Sequence, residues 1–176
     1  IKGEILMKKI SLILLALVLA IGLVACQSND AGKNPVENND LEGSLENILD
    51  KIYEKAEVSD SMKDFIKDGL QVTEITAENS GYFFGKENME FENAIASEPM
   101  MSSSAYSLCL VRVKDGADIE KIKADIKENA DPRKWICVGV DPNNVIVDNI
   151  GDVVILIMSD EAGSALHDAF LQLKEK

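Results

Sequence analysis

The chain predicts an α+β domain: an antiparallel sheet of about four to five strands, helices packed on one face, and further helices on its N-terminal side. Three observations carry that expectation. Ala105–Val113 and Val153–Met158 are apolar at nearly every position, as central strands are. Two helical stripes precede them, a third lies between them and a fourth closes the chain. The short turns Asp141-Pro142-Asn143-Asn144 and Asn149-Ile150-Gly151-Asp152 suit hairpin connections between antiparallel neighbours.

Leu45, Ile48, Leu49, Ile52, Tyr53 and Ala56 recur at helical spacing after Ser44, a good N-cap, so a first helix runs to about Glu57. Val58, Met62, Phe65, Ile66 and Leu70 form a second stripe, stopped by Gly69. From Gln71 to Asn88 the pattern does not choose. Val72 and Ile75 suit a strand, and Gly81-Tyr82-Phe83-Phe84-Gly85 is an aromatic run between glycines. Phe91–Ser97 is a less apolar strand candidate. In Ala105–Val113, Tyr106, Leu108 and Leu110 share one face while Cys109, Val111 and Val113 share the other. Ile119, Ile122 and Ile126 mark a helix with a charged outer face, ended near Ala130 by Asp131-Pro132. Three strands follow, at Trp135–Val140, Val145–Asp148 and Val153–Met158. Ser159 or Asp160 caps a last helix whose Ala162, Ala165, Leu166, Ala169, Phe170 and Leu173 make the buried stripe.

Ahead of this domain stands a segment of different composition. Met7 precedes Lys8 and Lys9, and from Ile10 to Val24 only Ser11 and Gly22 interrupt the aliphatic residues. The run falls short of the roughly 20 apolar residues that span a bilayer, and it has the length of a signal-peptide core. It closes on Leu23-Val24-Ala25-Cys26. That tetrad resembles the lipobox of bacterial lipoproteins, and the resemblance implies cleavage between Ala25 and Cys26 and a diacylglycerol on the Cys26 sulfur. The expected organisation is a signal peptide over 1–25 (with 1–6 upstream of the true start), a lipidated cysteine and flexible linker over 26–43, and one globular α+β domain over 44–176. Gln27–Gly43 is rich in Asn, Asp, Glu and Gly and nearly devoid of large apolar residues, hence the linker. Two acyl chains give stable anchoring where one does not, which places the domain on the extracytoplasmic face of the cell membrane.

Ala105–Val113, Asp131-Pro132-Arg133-Lys134-Trp135, Val145-Ile146-Val147-Asp148-Asn149 and the terminal helix, taken with the signal peptide, resemble small uncharacterised lipoproteins of Gram-positive anaerobes that carry a domain of unknown function. The resemblance implies location and fold class, and brings no catalytic residues with it.

Charge narrows the partners. The chain carries −13, and removing residues 1–25 takes away three lysines and one glutamate, a net +2, which leaves about −15. Such a surface repels phosphate backbones and anionic headgroups, which argues against nucleic acid. Cys109 and Cys137 either pair in an oxidising compartment or act as small buried hydrophobes, and their spacing suggests no zinc.

The pattern assembles no catalytic set and no cofactor or metal site. His167, the single histidine, lies off the apolar stripe with Ser164 three residues earlier, but no orienting group or oxyanion hole is evident. Asp141, Asn143, Asp148, Asn149 and Asp152 miss the calcium-loop spacing, and turn formation accounts for them. Met100 and Met101 suit adaptable apolar contacts or the edge of the core. Trp135 with nearby Arg133 suits a hot spot or a core strand. The expectation is therefore a protein-interaction or accessory module of the cell envelope with an envelope protein as partner. The alternative is a small-ligand or ion-binding lipoprotein, and a hydrolase comes third.

Overall fold

The computed structural model describes residues 40–174, so the signal segment, Ala25, Cys26 and the linker up to Asn39 lie outside the described residues. Helix α1 (Leu45–Lys55) and α2 (Asp60–Asp68) are capped by Ser44 and Ser59, whose side chains accept from Asn47 N and Met62 N. Strand β1 (Leu70–Glu74) and the single-turn helix α3 (Ser80–Phe84) occupy the stretch whose pattern did not choose. Gly85 ends α3 with φ +68, and a Cβ there would sit 1.8 Å from the Asn129 carbonyl oxygen, so only glycine fits. Then come β2 (Asn93–Pro99), β3 (Ser107–Arg112), α4 (Ile119–Asn129), β4 (Val145–Ile150), β5 (Val153–Met158) and α5 (Gly163–Leu171). Asp118 caps α4 by accepting from Lys121 N.

The five strands form one sheet in the order β1-β2-β3-β5-β4, every pairing antiparallel. The α+β class and its antiparallel sheet are those the sequence predicts, and Ala105–Val113 does lie at the centre. The helices, however, are divided between two faces. Ile95, Leu108, Leu110, Val153, Ile155 and Ile157 meet α1, α2 and α5; Ala96, Cys109, Val111, Val154, Leu156 and Met158 meet α3, α4 and the segment around Trp135. Residues one apart on a strand point to opposite faces, so a strand apolar at every position needs cover on both. The expectation of helices on one face is corrected accordingly.

Trp135–Val140 is not a strand. Cys137 takes φ +61, outside the extended region, and breaks the run. Trp135 and Val140 still plug the second face, while Ile136 and Val138 point out. The segment acts as a lid over the core, and β1 and β2 supply the strands in its place. The chain also docks earlier than expected: Asp40–Gly43, the last four residues of the expected linker, are held against the sheet. Arg112 Nη1 and Nη2 donate to the Gly43 and Leu41 carbonyls at 2.9 and 2.7 Å, its Nε lies 2.8 Å from Asp152 Oδ2, and Asp152 N donates to Asp40 Oδ1 at 3.1 Å.

Candidate functional site

The end of the sheet opposite Arg112 is built differently. The register runs from Asn93 opposite Arg112 to Ser97 opposite Leu108, and β2 carries the chain on from the Arg112 end to the loop that starts at Met100, about 23 Å at strand rise. There the loop meets the 131–140 segment, through Ile136 N donating to Ser102 O at 3.1 Å. Glu98, at the end of β2, reaches under that segment and lies 2.5 Å from Lys134 Nζ. The two side chains are 12% and 5% exposed, a nearly dry ion pair. The ammonium is walled by aromatic rings, with centroids at 4.5 Å (Tyr82), 5.1 Å (Phe83) and 5.4 Å (Trp135). Burial, then the Glu98 charge, push the Tyr82 hydroxyl pKa up.

Above this latch the surface is apolar. Met101 is 70% exposed, Ile136 67% and Met100 59%, and Tyr82 and Val138 are exposed too. Of the four residues singled out from sequence, Met100 and Met101 lie on this surface and Arg133 is exposed beside it. Trp135 is buried, its ring against the Lys134 ammonium and its indole N–H without a hydrogen-bond partner among the described residues. Ile136, one position on, takes the exposed place. No alternation marks it, since Ile136 through Gly139 are all exposed and the segment is not extended. The Glu98–Lys134 pairing spans 36 residues and leaves no local trace in the sequence.

A cleft of about 350 Å³ opens beside the same loop, with Met62, Phe65 and Tyr106 as its floor and Ser61, Ser104, Ser159, Asp160 and Glu161 at its rim. Phe65 meets Tyr106 edge to face at 5.8 Å. Behind it the Tyr53 and Tyr106 hydroxyls hydrogen-bond at 3.0 Å, and burial raises both phenol pKa values. Several rim groups already serve the fold. Ser159 Oγ accepts from Ala162 N, and Asp160 Oδ1 accepts from Asp141 N and Asn144 Nδ2.

His167 turns to Asp148 rather than Ser164: its Nε2 lies 2.8 Å from Asp148 Oδ2. Burial would raise the Asp148 pKa, but hydrogen bonds from His167 and the Asn149 N–H, with the charges of His167 and Lys123, outweigh it and hold the carboxyl below the usual range. A histidine and carboxylate so placed tie β4 to α5, and Ser164 stays exposed on the helix surface. Cys109 and Cys137 are both free, the first buried and the second exposed. Burial pushes the Cys109 thiol up to about 11, so it stays protonated and unreactive at neutral pH.

The turn carboxylates and amides are spent on structure. Asp141 accepts from Asn143 N, Asn149 Nδ2 donates to the Gly151 carbonyl, and Asp152 meets Arg112. Among the described residues no group of three or more His, Cys, Asp or Glu side chains is placed to hold a metal ion, and no helix is long and apolar enough to cross a membrane. No known protein family, curated protein or solved structure matches this chain.

Proposed function

We propose that the chain is a lipid-anchored extracytoplasmic protein whose folded domain is a protein-interaction or accessory module of the cell envelope, acting through the loop end of its sheet. The observation that carries this reading is the cluster Met100, Met101 and Ile136, three large apolar side chains more than half exposed on two segments that a buried ion pair and a backbone hydrogen bond fasten together. Isolated exposed apolar residues are ordinary, whereas several on neighbouring, fastened segments favour a contact surface. Methionine adds adaptability to whatever it meets. The anchor rests on the signal segment and Leu23-Val24-Ala25-Cys26.

A small-ligand module is the second reading, favoured by the 350 Å³ cleft. Ligand sites are mainly apolar hollows with a few polar groups free to fix a guest. Here Ser159 and one oxygen of Asp160 are already bound within the protein, which supports the interaction reading over this one.

Cross-linking of the native protein on intact cells, with a Cys26→Ala control, tests the proposal. One dominant protein neighbour, lost in the control, is the expected result; a diffuse background overturns it. Metabolic labelling with a fatty-acid analogue tests the anchor separately, since retained label in Cys26→Ala removes the lipidation site from Cys26.

A further inference from the structure

We propose that the cleft beside the Met100–Met101 loop receives a segment of the partner protein in which an apolar side chain stands next to lysine or arginine. This rests on reading the loop end as an interaction surface, and it names the chemistry that surface selects.

The floor of Met62, Phe65 and Tyr106 is apolar and takes an aliphatic or aromatic side chain. The lip carries Asp160 and Glu161, adjacent and both exposed. One oxygen of each is tied down from inside: Asp160 Oδ1 by Asp141 N at 2.9 Å and Asn144 Nδ2 at 2.8 Å, Glu161 Oε1 by the Ser59 hydroxyl at 3.1 Å. Those donors are neutral. Among the described residues neither carboxylate forms an ion pair with lysine or arginine, so two fixed negative charges stand uncompensated over an apolar floor. A cation beside them gains Coulomb energy without the entropy of ordering the acids first.

Charge complementarity excludes the other occupants. A second copy brings its own charge of about −15, and an anionic bilayer surface is repelled in the same way. The cleft shares Ser104 with the loop that holds Met100 and Met101, so the cleft and that loop adjoin.

A photo-cross-linking residue placed at Ser104, and separately at Ile136, in the full chain on intact cells tests this, with adducts mapped by mass spectrometry. Ser104 adducts are expected within a few residues of lysine or arginine in a partner protein. Their yield should fall about tenfold in the Asp160→Asn/Glu161→Gln variant, as two solvent-facing ion pairs allow. It should fall likewise when salt rises from about 0.15 M to about 1 M. Asn and Gln keep the acceptor oxygens, so the internal hydrogen bonds survive, and an unchanged urea midpoint checks the fold. Ser104 adducts to lipid, to a second copy or to acidic segments, or a yield indifferent to both changes, overturn the cleft proposal. If Ile136 still captures the partner in that case, the interaction surface stands without it. If neither position captures a protein, both readings fall.

Discussion

Both ends of this sheet use a cation largely withdrawn from solvent, and they use it for different things. At one end the Arg112 guanidinium takes two backbone carbonyls and the Asp152 carboxylate, and so pins the incoming chain at Leu41 and Gly43. At the other end Lys134 meets one carboxylate and is otherwise wrapped in aromatic rings, and the surface above it is left apolar. Arginine's planar fork suits several fixed acceptors at once, and lysine's compact charge suits a single partner within a shell of rings. The Arg112 end is closed by polar bonds around a tight turn, where Gly151 passes so close to Asp40 that a Cβ would lie 2.6 Å from its Cα. The loop end is held from beneath and so can show Met100, Met101 and Ile136 to solvent while staying ordered. One end fixes the chain; the other displays a surface.

The latch should give the largest effect. Glu98→Ala leaves the Lys134 ammonium buried and unpaired, and a loss of about 3–5 kcal/mol is expected from the urea midpoint. Lys134→Met fills the same aromatic box without a charge, but it strands Glu98 unless the carboxyl takes up a proton; Lys134→Met with Glu98→Gln should recover stability to within about 1 kcal/mol of the native chain. A double variant as unstable as Glu98→Ala would show that the charge pair itself holds the two segments. Ile155→Ala sets the scale for the shared middle of the sheet. It sits fully buried between the two ends and should cost about 2–5 kcal/mol. A shift well under 1 kcal/mol would remove β5 from the core.

Arg112→Ala comes next, at about 1.5–3 kcal/mol, the range for hydrogen bonds to a charged group. Its effect should be local: faster amide exchange at Asp152 and through the start of α1, with the loop end unchanged. Arg112→Lys should fail to restore protection, because an ammonium cannot span Leu41, Gly43 and Asp152 together. Faster exchange at both ends would mean the clamp and the latch are one cooperative unit. Smaller again is the Asp148–His167 contact, which lies outside both ends. The folded Asp148 carboxyl holds its proton more weakly than an unfolded one, so it adds stability above the usual aspartate range, lost as pH falls through its lowered value. Asp148→Asn should therefore lower stability modestly near neutrality, with the difference from the native chain vanishing as pH falls, so that the acid side of the stability–pH curve flattens.

The sequence exposed what depends on neighbours along the chain and hid what depends on distant ones. Ser44, the stripe from Leu45 to Ala56 and the apolar runs of β3 and β5 are local patterns, and each produced its element. The same runs already required cover on both faces, since no strand apolar at Cys109 and Leu110 alike can leave one side wet. Trp135–Val140 has strand composition, yet a left-handed Cys137 and the position of the segment over the second face override it. The clamp links Arg112 to residues about 70 positions earlier, and the latch links Glu98 to Lys134, so neither has a periodic signature. Met100 and Met101 suited either an exposed contact or the edge of the core, and no local pattern could choose between them; the loop leaves both in water.

The smallest stability effect carries the most weight for function. Met101→Asp and Ile136→Asp replace side chains that are already mostly in water, so each should shift the urea midpoint by no more than about 0.5 kcal/mol. The acidic lip adjoining the loop makes the same changes revealing at an interface. A new carboxylate in the centre of an apolar contact must be desolvated without a designed partner, and that penalty falls on the complex alone. Capture of the partner by cross-linking should therefore be lost while folding is untouched. At the Arg112 end, Arg112→Ala should do the reverse, lowering stability and leaving capture in place. If Ile136→Asp destabilised the fold by several kcal/mol, the residue would be part of the lid's packing, and the contrast between an end that fixes and an end that displays would disappear.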